Sequence, residues 1–248
     1  MITAHSPTDW RDLQEQTART LSECGFQVEV EAKVDTVRGK VELDVLAEED
    51  VDGRRYRIFC ECKHWQARVP QTVIHSFRTV VADSGANVGY IISAAGFQSG
   101  AFTAAELTNL RLVTWEEFQA EFEQTWIERF LLQHVVNRID PLFSYIEPIL
   151  PRGFDELTEE EQDHYMALKD KYDEFGWLMM QFTKYHRATD LPLPELPLRG
   201  RVTEALRESN SIPPEVLDAP AYREFLDVAL PYGERAVAEF RRAMKRDT

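Results

Sequence analysis

The chain has 248 residues, 44% of them hydrophobic, and a formal net charge of −15. That size and apolar content exclude wholesale disorder and suffice for a sizeable core, and no apolar run approaches the roughly 20 residues of a membrane-spanning helix. The acidity excludes a broadly basic nucleic-acid surface, because phosphate binding rests on Lys and Arg: residues 1–120 carry 12 basic and 18 acidic side chains, the rest 16 and 25.

Three cysteines, Cys24, Cys60 and Cys62, are too few and too unevenly placed for a disulfide framework. The first residues show no basic stretch followed by an apolar one. The expected compartment is therefore a reducing cytoplasm, with no membrane partner.

Taken in chain order, Thr8 or Asp9 caps a first helix that ends at Gly25, with Trp10, Leu13, Thr17, Leu21 and Cys24 along one face. Phe26–Val34, Val41–Ala47 and Tyr56–Lys63 alternate as strands. Pro70 suits the first turn of a helix that carries Val73, Ile74, Phe77, Val80 and Val81 and stops near Gly85. Val88–Ser93 reads as a buried strand, Ser99–Leu107 as a short helix and Arg111–Val113 as a last strand. The third strand, its helix and the fourth strand form a βαβ unit with parallel strands. The fold class is therefore α/β, a mixed sheet flanked by helices.

From Glu116 onward the pattern is helical, with Phe118, Phe122, Trp126, Phe130 and Leu131 marking one helix and Pro141, Pro148 and Pro151 as interruptions. A long helix is expected over Glu159–His186, then a stiff connector over Leu191–Pro197, then helices near Val202 and Ala221. This gives two regions, 1–118 and 119–248, the second a helical region for oligomerisation or partner docking. Its aromatics, Trp126, Phe130, Phe175, Trp177 and Phe182, read as core, and His134, His164 and His186 are too scattered for a metal site.

The most informative feature is a hairpin. Asp52-Gly53 between the second and third strands is a type I′ turn signal. A two-residue loop there sets Asp44 opposite Glu61, Glu42 opposite Lys63, Glu48 opposite Arg57 and Asp50 opposite Arg55; the last three pairs join opposite charges. Alternation puts Val41, Leu43, Val45 and Ala47 on a core face with Ile58, Cys60 and Cys62, and Asp44, Glu61 and Lys63 on the other. Two opposed carboxylates repel unless a cation lies between them, and Mg²⁺ favours carboxylate and carbonyl oxygens with several waters. Such an ion makes a nucleophile of water and stabilises charge on phosphate. The tripeptide Glu-x-Lys alone is weak, since Glu31-Ala32-Lys33 also fits it.

With these pieces in place, the sequence resembles the PD-(D/E)xK nuclease superfamily and, within it, the Mrr-like restriction endonuclease catalytic domain. The matching pieces are Cys24-Gly25-Phe26, Glu42-Leu43-Asp44-Val45, Glu61-Cys62-Lys63-His64-Trp65, the helix beginning near Val69, Gly89-Tyr90-Ile91-Ile92-Ser93 with Gly96-Phe97, and Arg111-Leu112-Val113-Thr114. The resemblance runs from about Leu13 to Phe118. It implies a restriction-endonuclease-like fold that cleaves DNA with Mg²⁺ (or Mn²⁺), in prokaryotic restriction or anti-phage defence. It implies Asp44 and Glu61 as metal ligands with the Cys62 backbone carbonyl, and Lys63 as the catalytic lysine. Where the family often has a glutamate in the first helix, this chain has Gln14; Glu15 points about 100° away around the helix.

Several residues carry two readings. Gln14 and Gln71 are accessory site residues or helix-surface groups. Arg55, Arg57, His64, Trp65 and Arg68, with Arg54, are a DNA-contacting edge or ion-paired hairpin residues. Ser93 and Gln98 are weaker candidates. Cys60, Cys62 and His64 read as core cysteines with a strand-end histidine before a zinc site, which needs a fourth ligand. The expected partners are DNA and a second copy of the chain or a larger defence complex, and the alternative to an enzyme is a catalytically inactive nuclease-fold module that binds nucleic acid or scaffolds an assembly.

Overall fold

The computed structural model describes residues 1–184, 192–200 and 211–244. They fall into two compact units: Met1 with His5–Phe130, and Ile2–Ala4 with Leu131–Thr248. The expected boundary after 118 falls inside a helix, Trp115–Trp126, whose Phe118 and Trp126 are fully buried, so the first unit extends beyond it.

The first unit opens with α1 (Trp10–Glu23), where the Asp9 side chain accepts the N–H of Asp12, a cap worth about 1 kcal/mol. Leu13, Thr17, Leu21 and Cys24 are buried as expected, but Trp10 is half exposed, since it lies on the first helical residue and stacks with Arg11. Then follow β1 (Gln27–Thr36), β2 (Gly39–Val51), β3 (Arg54–Lys63), α2 (Gln71–Ser84), β4 (Val88–Ser93), α3 (Ser99–Ala105), β5 (Leu110–Thr114) and α4 (Trp115–Trp126). Pro70 stands just before α2 rather than inside it, and Gly85 closes that helix in the left-handed conformation. A capping box of Thr114 and Glu117 starts α4.

The five strands form one sheet in sequence order. The pairs β1–β2 and β2–β3 are antiparallel, and β3–β4 and β4–β5 are parallel. Asp52 and Gly53 have φ of 51° and 74°, as a type I′ turn requires. The expected register holds from Val51↔Arg54 to Val45↔Cys60, including Glu48↔Arg57 and Asp50↔Arg55.

Both faces of the sheet are covered. Leu46 and Phe59 pack with Ile74, Phe77, Ile91 and Ala101 under α2 and α3. On the other face Tyr90, the β4 partner of Cys60, sets its ring against Phe118 and Phe122 of α4. The expectation of one core face and one site face is thus corrected: two helical layers bury both.

One further correction bears on function. Leu43 does not share a face with Val45; it joins the cluster of Leu46 and Phe59. Alternation is broken between them, at Asp44. On the β1 side the ladder pairs Val30↔Val45 and Ala32↔Leu43 but skips Glu31 and Asp44, and Glu31 has φ of 54°. On the β3 side pairing ends at Val45↔Cys60. Asp44 therefore sits at a kink where β2 is released from both neighbours.

The second unit is helical. After a π turn, Ile127–Leu131, that begins in the first unit, come α5 (Leu132–Ile146), α6 (Glu159–Met180), the short α7 (Pro214–Leu217) and α8 (Tyr222–Ala243). Pro148 and Pro151 follow the end of α5, but Pro141 lies within it and Pro231 within α8. A helical proline costs about 3 kcal/mol; burial of Ile139, Leu142, Phe143 and Ile146 on α5 offsets that. Phe240 stacks on Tyr145 at 4.9 Å and meets Tyr165 edge-on at 5.2 Å. Phe175 and Phe182 are core as expected, whereas Trp177 is half exposed. The expected helix end at His186, Leu191 at the start of the connector and the helix near Val202 lie outside the described residues. Among the described residues no helix is long and apolar enough to cross a membrane.

Candidate active site

The kink determines what the Asp44 carboxylate can reach. Its Oδ2 accepts the backbone N–H of Cys62 at 2.6 Å, taking the place of a ladder bond from the facing strand. Asp44 and Glu61 are thus not a ladder pair, and neither are Glu42 and Lys63; Glu42 pairs with Lys33 of β1. The two strands diverge, and the aspartate side chain bridges the gap.

Glu61 and Lys63 lie on the same face of β3, two residues apart. Lys63 Nζ donates to Glu61 Oε1 in a close ion pair, with side chains 16% and 23% exposed. Burial pushes the Glu61 carboxyl above its ordinary range; the Lys63 ammonium opposes that shift and the Asp44 carboxylate adds to it. Glu61 thus has an ammonium partner on one side and a second carboxylate nearby.

The backbone of β3 contributes too. Ala94 N–H donates to Lys63 C=O at 3.0 Å, toward β4. Backbone groups alternate in direction along a strand, so those of Cys62 face β2, on the side of Asp44.

Gln14, 2% exposed, extends from α1 and donates its Nε2 to the backbone carbonyl of Asp44 at 2.9 Å. It touches the backbone of the site residue, a contact that its helical position alone did not reveal. Gln71 is exposed at the start of α2, with its Oε1 beside Gly100 of α3. From the same helix Thr72 and Ser76 line a cleft of about 510 Å³ whose floor carries Glu61 and Lys63. Their spacing of four on a helix beginning after Pro70 was the available signal. The apolar part of that cleft is Val41, Leu43, Trp65, Val73, Phe77 and Val80.

The expected basic edge is divided. Arg55 pairs with Asp50 at 3.6 Å and Arg57 with Glu48 at 2.7 Å. Arg57 also donates to Ser84 C=O and lies over the Phe59 ring. It is roughly 13 Å along the strand from Glu61 at ~3.3 Å per residue. His64 Nε2 lies 3.0 Å from Pro7 C=O. Arg68 is exposed, and its carbonyl accepts the Gln98 amide at 3.5 Å. Ser93 is fully buried, donating to Gly96 C=O. Of the group, Trp65 alone lines the cleft, with Lys63 Nζ 5.3 Å from its ring centre.

Burial raises the thiols of Cys60 and Cys62 above their ordinary range, favouring the neutral form over the thiolate a metal takes. The Cys62 sulfur lies 3.8 Å from Thr17 Oγ1. Among the described residues no three His, Cys, Asp or Glu side chains gather as a metal cluster.

The sheet carries Asp44 on its second strand and Glu61-x-Lys63 on its third, and residues 6–122 match the family model described as restriction endonuclease, Mrr catalytic domain. That segment is similar to the Mrr catalytic-domain family. The matched segment covers all five strands and most of α4. The chain also matches the crystal structure of a protein of unknown function, AF1548, at 18% identity and a TM-score of 0.39, over 66% of this chain and 97% of that one. No curated protein matches the chain.

Proposed function

We propose that this protein is an endonuclease hydrolysing DNA phosphodiester bonds, with Asp44, Glu61 and Lys63 as its catalytic centre and Mg²⁺ or Mn²⁺ as its cofactor. The observation that carries this reading is the pairing of a partly buried Glu61 with Lys63 beside an Asp44 that β2 has released toward Cys62. The donor set fits the ion. Two carboxylates lie near one another, Glu61 is held above its ordinary range by burial, and a hard divalent cation prefers carboxylate and carbonyl oxygens. Asp44, Glu61 and the Cys62 carbonyl would hold it, and it would supply an acidified water and charge neutralisation at phosphate.

Lys63 Nζ lies against Glu61, where it can orient the attacking water, assist its deprotonation or steady a phosphate oxygen. Gln14 fixes the Asp44 backbone from beneath and thereby the direction of its carboxylate. The proposed role is prokaryotic restriction or anti-phage defence in the cytoplasm; the family description, restriction endonuclease, supports the restriction part of it. Two active sites are the simplest way to cut both strands of a duplex, which supports a homodimer or a larger complex, with the helical unit as the element for oligomerisation or docking.

Purified protein should nick or cut plasmid and linear DNA in Mg²⁺ or Mn²⁺, and Asp44→Ala and Lys63→Ala should each strongly reduce this. Undiminished cutting by both variants would overturn the assignment. A second reading, a nuclease fold that binds nucleic acid without cutting, is favoured by the commitment of Gln14 to a backbone contact and by the net charge of −15. Calorimetry separates the two, since the second predicts no Mn²⁺ binding that depends on Asp44 and Glu61.

A further inference from the structure

We infer that the cleft beside Glu61 and Lys63 receives one unpaired nucleobase of the substrate strand, stacked on Trp65, so that the preferred substrate has an unstacked nucleotide next to the scissile phosphate. This deepens the nuclease reading and rests on it for the identity of the cut bond. Three observations converge. Trp65 is 43% exposed although it stands two residues beyond Lys63, and its ring borders the cleft. The cleft, about 510 Å³, lies within the ~300–1,000 Å³ typical of small-molecule pockets and suits a nucleoside rather than a double helix. Its lining also includes the apolar side chains of Val41, Leu43, Val73 and Val80, while Thr72 and Ser76 supply hydroxyls for base edges.

Charge argues the same way. Among the residues lining the cleft, Lys63 is the one cation, it is paired with Glu61, and Glu42 adds a second carboxylate. Tight binding to a continuous duplex depends on several Lys and Arg contacts to phosphate, and Arg55 and Arg57 are engaged with Asp50 and Glu48. Stacking contributes affinity that does not come from such contacts, because every base offers a π face to an aromatic ring. An exposed indole with an ammonium 5.3 Å from its centre gives the base a platform and the adjoining phosphate a cation.

The test measures binding and cutting separately. In EDTA, a 2-aminopurine-labelled single-stranded oligonucleotide is titrated with wild type, Trp65→Ala and Trp65→Phe, beside a duplex of the same length. The expected result is quenching of the probe, tighter binding of the single strand than of the duplex, a loss on the order of tenfold in Trp65→Ala, and near-complete retention in Trp65→Phe. Equal affinity for both forms, no binding of the single strand, or single-strand affinity unchanged in Trp65→Ala would each overturn the inference. Cleavage in Mn²⁺ distinguishes it from the nuclease reading. Trp65-dependent binding without any cutting would remove the nuclease and leave the base site, whereas duplex cutting indifferent to Trp65 would do the reverse.

Discussion

The carboxylate of Asp44 accepts the backbone N–H of Cys62 at 2.6 Å, at the point where β2 and β3 stop pairing as strands. Asp44 thus has a structural partner as well as its proposed chemical role. Asp44→Asn retains an acceptor oxygen for that N–H, so it should fold as the wild type does while losing most of its DNA cleavage. Asp44→Ala should lose the same activity and also about 1–3 kcal/mol of stability, from a backbone donor left without its acceptor. Urea unfolding and plasmid cleavage of the two variants check both statements.

Glu61 is pushed upward by burial. A carboxyl raised in the folded state favours the protonated form, so its contribution to stability is complete below the unfolded value near 4.5 and is lost as pH rises through the higher folded value. Metal-free protein should therefore lose stability over that interval in EDTA. Glu61→Gln should flatten that part of the profile, and Mn²⁺ should raise the stability of the wild type at neutral pH but not that of the variant. Thermal melts across pH with and without Mn²⁺ are the measurement.

Lys63→Ala should lower the cleavage rate by about 10²–10⁴-fold, the range typical of a positioned proton-transfer group. Trp65 faces the ammonium and is half exposed, so Lys63→Ala should leave the fold intact by circular dichroism. A comparable rate in the variant would remove Lys63 from the chemistry.

Glu31, with φ of 54°, faces the kink at Asp44. A non-glycine residue in the left-handed region costs roughly 1–2 kcal/mol. Glu31→Gly should be neutral or stabilising by up to about 1 kcal/mol, the gain being reduced by the greater freedom of glycine when unfolded, with cleavage retained. Glu31→Val should cost about 1–3 kcal/mol and weaken cleavage without touching Asp44, Glu61 or Lys63. Equal stability of the two variants would show that the left-handed turn is not needed.

Gly89 lies where α2 crosses β4. A methyl group there would stand 2.6 Å from Val81, 2.7 Å from Leu110 and 2.9 Å from Phe77. Gly89→Ala should destabilise the domain by about 1–3 kcal/mol through overpacking, read as a lower denaturation midpoint with unchanged slope.

The element order, the hairpin register and the proximity of Asp44, Glu61 and Lys63 were legible because alternation and an Asp-Gly turn are local signals. The kink was not: it arises from Glu31, a residue with no turn chemistry in its neighbourhood, responding to a sheet that opens around Asp44. For the same reason Leu43 was assigned to the wrong face, since strict alternation carries no information about a break. Gln71 and the pair Thr72 and Ser76 differ only in helical phase, which a start uncertain by one residue leaves open. Pro141 inside α5 was hidden because its cost is local while its compensation, the buried face of the helix, is tertiary.

The I′ turn at Asp52-Gly53 lies at the far end of the hairpin from Asp44 and Glu61, yet it sets their alignment. Adding or deleting a single residue on one arm alone would exchange the faces of every side chain beyond it, turning Glu61 and Lys63 toward α1 and Cys62 toward the cleft. The hairpin can therefore change length only by matched steps on both arms or within the turn itself. Tags or reporter insertions are best placed between Asp52 and Gly53, where added length leaves both arms in phase.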